Sequence, residues 1–136
     1  MSGHDGTEPV ADDELLYRRI PVSKGWYTQK RLSPEAFDPR PGERTGISLY
    51  REKYKPIQEV ARGKGRQGYY VAVLRAGDVR KHGIEVVPRP QLDDPGHAEM
   101  PDLTCDNRLT QEALERKLRL VELCVRVEGP FPPTTD

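Results

Sequence analysis

The stretch DDPGHAEMPDLTCDN, residues 93–107, sets the imidazole of His97 and the carboxylate of Glu99 one residue apart, with the thiol of Cys105 shortly after. In zinc-dependent deaminases a His-x-Glu of this kind supplies a metal ligand and a proton shuttle, and a later Pro-Cys-x-x-Cys supplies two thiolates. The chain has two cysteines, Cys105 and Cys124, neither in a Cys-x-x-Cys nor preceded by proline. The second half of that signature is missing, and the spacing supports no other zinc set. What remains is a pair suited to proton chemistry: His97 as base or hydrogen-bond donor, Glu99 orienting a hydroxyl. The flanking PQLDDPGHAEMPDLT is crowded with turn formers, which predicts a loop between a strand and the last helix. On such a loop the alternative for His97 is a surface pairing with a nearby carboxylate.

A second group of residues could hold an anion. Arg18 and Arg19 lie in LLYRRIP, and Ser48 and Tyr50 lie in TGISLYRE. A guanidinium offers a planar fork to a pyrophosphate, and a tyrosine ring can stack on a flat ring. If LLYRRIP is a strand, Arg18 and Arg19 must face opposite ways. The stretch 51–66 carries Arg51, Lys53, Lys55, Arg62, Lys64 and Arg66, with Tyr50 and Tyr54 beside them, a pattern that could touch RNA or an acidic partner. No RNA-binding motif accompanies it. GKGRQG, 63–68, lacks the Gly-Lys-Ser/Thr end of a phosphate loop, and no Gly-x-Ser-x-Gly or dinucleotide glycine fingerprint occurs.

The elements that must position these groups follow from periodicity. ELLYRRIP, TGISLYRE, GYYVAVL and IEVVP read as strands, the third apolar on both faces and therefore central. KGWYTQKRL reads as an extended piece or hairpin, and SPEAF as a turn or two of helix capped by Ser33. Ile57, Val60 and Ala61 mark a helix stopped by Gly63 and Gly65, and AGDVRKHG a short one ended by Gly83. TQEALERKLR is the clearest helix, with Leu114 and Leu118 on one face, and the alternation of Val121, Leu123, Val125 and Val127 predicts a closing strand. The connections are too short for regular parallel crossovers. The expected fold is α+β, a single compact domain with a mixed, mostly antiparallel sheet of about five strands and short helices.

The 136-residue chain fits one domain. Apolar residues are 35%, below the usual ~45–50%, so the core must be small. Twenty-two basic and 22 acidic residues cancel, which argues against a general polyanion binder. Residues 1–13 read as a flexible acidic leader, 14–128 as the domain and 129–136 as a proline-rich tail. With two cysteines, no secretory signal and no long apolar run, the expected setting is the cytoplasm, with free thiols.

Taken together, LYRRIP, FDPRP, TGISLYRE, YYVAVLRAGDVRKHGIEVVP and DDPGHAEMPDL resemble a family of small uncharacterised bacterial proteins over roughly residues 14–104. That resemblance implies a compact binding or accessory module acting beside a partner protein in a toxin, defence or secretion context. More distantly, the chain is similar to ADP-ribosyltransferase-like domains that use NAD. That likeness implies Arg18 or Arg19 on the dinucleotide, Ser48 and Tyr50 on the nicotinamide side, and Glu99 with His97 acting on the ribose. The two readings differ in one observable: an enzyme gathers these side chains in one cleft, and a module scatters them.

Overall fold

Alternation in Leu15–Pro21 makes β1, with Leu16, Arg18 and Ile20 on one face and Tyr17 and Arg19 on the other. The computed structural model describes residues 5–62 and 67–133. Its elements run β1, β2 (Tyr27–Thr28), β3 (Arg31–Leu32), β4 (Ile47–Arg51), α1 (Ile57–Arg62), β5 (Tyr69–Arg75), α2 (Ala76–Lys81), β6 (Val87–Pro88), β7 (His97–Met100), α3 (Gln111–Leu123) and β8 (Arg126–Phe131). β2 and β3 form a separate hairpin. The other six strands make one antiparallel sheet in the order β6-β7-β4-β1-β5-β8, so β1 and β5 are interior. The α+β, antiparallel expectation describes this domain, with six strands in its main sheet.

The sheet is covered unequally. On one face Leu16, Ile20, Ile47, Leu49, Leu74 and Met100 pack against Ala113 and Leu120 of α3, Val79 of α2 and Phe37 of a single-turn helix, Pro34–Phe37, capped by Ser33. On the other, α1 lays Val60 and Ala61 over Tyr17, Val71 and Val73. α1 packs on β1 and β5, while Ser48 and Tyr50 of β4 and His97 and Glu99 of β7 share that face of the sheet.

Four expectations change. HAEM is a strand, β7, buried at all four positions, with Ala98 and Met100 in the core and His97 and Glu99 on the opposite face. α3 runs to Leu123, so the closing strand starts at Arg126; Val121 and Leu123 pack inward from helical positions. Leu114 and Leu118 are exposed, and the buried stripe is Ala113, Lys117 and Leu120, with the Lys117 ammonium bonded to Asp38. Gly129, Pro130 and Phe131, assigned to the tail, belong to β8, an edge strand where a proline costs no ladder bond. The helix stop assigned to Gly63 and Gly65 lies outside the described residues.

The fourth change concerns the acidic start. Residues 5–13 are packed on the body, with Val10 in the core. Arg51, fully buried, reaches both carboxylate oxygens of Glu14 at 2.8 Å and the carbonyls of Glu8 and Pro9 at 3.1 and 3.3 Å. Lys53 bonds Glu8 at 2.9 Å, and Arg80 bonds Asp12 at 2.9 Å. The carbonyls of Asp12 and Glu14 receive the N–H groups of Gly77 and Ala76, which open α2. A Cβ at Gly77 would meet Asp12 at 2.9 Å, so this docking requires glycine there. Three of these acids, Glu8, Asp12 and Glu14, answer cations of the body. Among the described residues no helix is long and apolar enough to cross a membrane.

Tyr54 and Lys53 hold the Glu8 carboxyl down at about 2. Burial opposes ionisation of Glu14, yet the Arg51 bonds keep it below the ordinary 4.5. Both groups favour the fold when ionised. Their contribution is therefore complete above pH 4.5 and is lost as the pH falls toward 2. Urea midpoints measured down the pH scale should fall across that window, and Glu8→Gln with Glu14→Gln should flatten the acid limb. Arg51→Met strands Glu14 and should lower stability at neutral pH by roughly 3–5 kcal/mol.

Candidate functional site

β1 runs in register with β5 over seven residue pairs but with β4 over two, Leu16–Arg51 and Tyr17–Tyr50. Past Tyr17 the two strands part. Backbone groups left open by the parting need partners. Ser48 donates its N–H to Glu43 at 2.7 Å and its carbonyl accepts from Arg18 at 3.1 Å. Arg18 also forms a two-oxygen ion pair with Glu43 and donates to the carbonyls of Ala36 and Asp38. Arg40 donates to the Arg19 carbonyl. Side chains thus replace a stretch of sheet ladder.

Above this split lies a cleft of about 530 Å³, within the range of small-ligand sites. Arg19 of β1, Ser48 and Tyr50 of β4, and His97 of β7 line it on one sheet face, facing Lys55, Glu59 and Arg62 from the α1 side and Asp93 and Asp94 from the loop before β7. Arg19 is preset: its guanidinium lies 4.8 Å from the Tyr50 ring and 5.6 Å from the Tyr69 ring, and it donates to the Tyr50 hydroxyl at 2.7 Å. Lys55 pairs with Asp94 at 3.4 Å.

His97 is 3% exposed and is held at both nitrogens. Nδ1 lies 3.0 Å from the Arg89 carbonyl and Nε2 lies 2.9 Å from Ser48 Oγ. A carbonyl only accepts, so Nδ1 carries the proton of the neutral ring, and Ser48 donates its hydroxyl proton toward Nε2. Glu99, opposite Ser48 in register, accepts from Thr45 at 2.7 Å and from Arg89 Nε at 3.2 Å. It reaches the imidazole only through Arg89.

Two polar atoms at the cleft, Arg40 Nε and Asp94 Oδ1, are buried without a hydrogen-bond partner among the described residues. Burial, with Arg18 nearby, pushes the Arg40 guanidinium down to about 10, and its plane lies 5.7 Å from the Trp26 ring. Burial also opposes ionisation of Glu43, but Arg18 holds its carboxyl below the usual range.

Of the residues expected to share a site, Arg18, Arg19, Ser48, Tyr50 and His97 all line the cleft. Glu99 stands on the same face but outside the lining, and Arg18, 1% exposed, reaches the cleft from the core side, where it braces the split. Arg40, Glu43 and the Arg89 carbonyl are the additions. FDPRPGER and RPQ are turn-rich stretches, and nothing in their composition marks them as site residues. Among the described residues no group of three metal-ligating side chains comes together, and Cys105 contacts the carbonyls of Arg40 and Glu43 through its thiol. The basic 51–66 stretch is largely engaged: Arg51, Lys53 and Lys55 are in ion pairs, while 63–66 lie outside the described residues.

No protein-family model matches the chain, and no curated protein or solved structure matches it significantly.

Removing one member of the pair at the split leaves a buried charge and open backbone groups. Glu43→Ala should cost roughly 3–5 kcal/mol in urea unfolding, and Arg18→Lys, which keeps the charge but loses the fork, should recover only part of an Arg18→Met deficit.

Proposed function

We propose that the chain is a small binding module whose cleft takes a phosphate-bearing ligand of the nucleotide class, with NAD the first to be tried. One observation carries this reading: Arg19, Ser48, Tyr50 and His97, from three separate strands, open onto one hollow that also holds the unpartnered Arg40 Nε. A buried donor without a partner costs free energy unless water or a ligand atom meets it. An anionic oxygen suits a guanidinium best. Arg19, fixed between two tyrosine rings, loses little freedom when it meets a phosphate or a flat base.

Two features favour binding over ribose transfer. Transfer calls for a carboxylate in the cleft, and Glu99 is turned to Thr45 and Arg89 instead. Of the acids that do line the cleft, Glu43 pairs with Arg18 and Asp94 with Lys55, and Glu59 and Asp93 come from α1 and the loop before β7 rather than from the strands that carry Arg19, Ser48, Tyr50 and His97. If the resemblance to small bacterial proteins holds, such a module would act beside a partner protein, which ligand occupancy would regulate.

Titration with NAD and with ADP at low salt, followed by amide chemical shifts, should move resonances of β1, β4 and β7. Arg19→Ala and Arg40→Ala should each weaken binding about tenfold or more, equivalent to ~1.4 kcal/mol. Arg75→Ala, on the exposed end of β5, should not. Absence of shifts at millimolar concentrations of both ligands would remove the reading.

A further inference from the structure

Hydrogen-bond directions at Ser48 and His97 support more than binding. A hydroxyl becomes a nucleophile when a base takes its proton and a third group fixes that base. Here the hydroxyl is Ser48 Oγ, the base is His97 Nε2 at 2.9 Å, and the third group is the Arg89 carbonyl, 3.0 Å from Nδ1. The imidazole is buried, while Ser48 opens to the cleft. Ser48 is held from both sides: its strand pairs with β7 through Glu99, and its own N–H and carbonyl are fixed by Glu43 and Arg18. A nucleophile that cannot drift loses little entropy on the way to attack.

We propose that Ser48 is a nucleophile activated by His97, and that the cleft performs acyl transfer from carboxylic esters carrying a negatively charged group. Ser48 Oγ bonds to the ester carbonyl carbon as its proton passes to His97 Nε2. The bond from that carbon to the leaving oxygen breaks, and the departing alcohol takes the proton from Nε2. Water then attacks the acyl-serine, losing a proton to Nε2, and that proton returns to Oγ as the acyl–oxygen bond breaks and the carboxylic acid leaves. Nδ1 keeps its proton on the Arg89 carbonyl throughout. Only the preference for an anionic ester rests on the ligand reading above, through Arg19 and Arg40; the nucleophile itself does not.

The alternative is that the Ser48–His97 bond merely ties β4 to β7. A neutral alkyl fluorophosphonate separates the two, since it bonds phosphorus to an activated serine oxygen and releases fluoride and a proton. Wild-type protein should gain one phosphonyl group, mapped to Ser48 by peptide mass. Ser48→Ala should gain none, and His97→Gln should label at least ~100-fold more slowly. The rate in wild type should rise with pH to a plateau, a readout that needs no variant to fold. Absence of label on Ser48, an unchanged rate in a folded His97→Gln, or a rate that climbs with hydroxide without levelling would each overturn the proposal. Nitrophenyl esters test the substrate class: an anionic acyl group should turn over at least tenfold faster than a neutral one, and Arg40→Ala should abolish the difference. Equal rates would overturn the preference for an anionic ester. Because the fluorophosphonate is uncharged, its result stands whether or not NAD binds.

Discussion

The ion pair between Arg18 and Glu43 is the constraint on which the rest of the molecule depends. Two neighbouring strands can part inside a sheet only if the amide groups they abandon find other partners. Arg18 and Glu43 supply these, one taking the Ser48 carbonyl and the other its N–H. The guanidinium comes from the core face of β1, between Leu16 and Ile20, where an unpaired charge could not stay. The pair therefore does two jobs with one set of bonds. It closes the core beneath the split and leaves a hollow above it.

The same pair sets the electrostatics of the hollow. Glu43 is the carboxylate next in line to Arg40, but its oxygens are taken by Arg18, by the Ser48 N–H and by the Arg40 backbone. Arg40 is left half-buried with its Nε unanswered. Arg19 is turned toward tyrosine rings rather than acids. Cations that are positioned but not neutralised suit an anion arriving from solvent. Next to them sits a serine and histidine pair whose proton direction is set by a backbone carbonyl rather than by an acid.

Much of this was legible in the order of residues, and the failures have physical causes. Alternation in LLYRRIP gave the strand and correctly sent Arg18 and Arg19 to opposite faces. HAEM alternates polar and apolar residues as a half-buried strand should, but four residues between prolines and a glycine read as loop under turn chemistry. Its strand state comes from β4 and β6 on either side, which no local pattern contains. α3 outran its expected end because Val121 and Leu123 satisfy both a period of two and a helical face, and packing chose the helix. The acidic start looked like a solvated leader because its partners, Arg51 and Lys53, lie far along the chain, at the end of β4 and in the turn after it. Convergence of Arg19, Ser48, Tyr50 and His97 could be posed from sequence as a question, but only register answers it.

The place of β1 in the sheet has a consequence for how the chain is made. β1 leaves the ribosome before both strands it lies between, β4 ending at Arg51 and β5 ending at Arg75. Until both have been synthesised its edges have no mates, and the segment anchored by Arg51 has nowhere to dock. Folding must wait for long-range pairings, a topology that slows the search and leaves a strand edge open to other chains meanwhile. The guanidiniums of Arg18 and Arg19 keep that nascent strand charged during the delay, a modest guard against sticking to its neighbours before its own partners arrive.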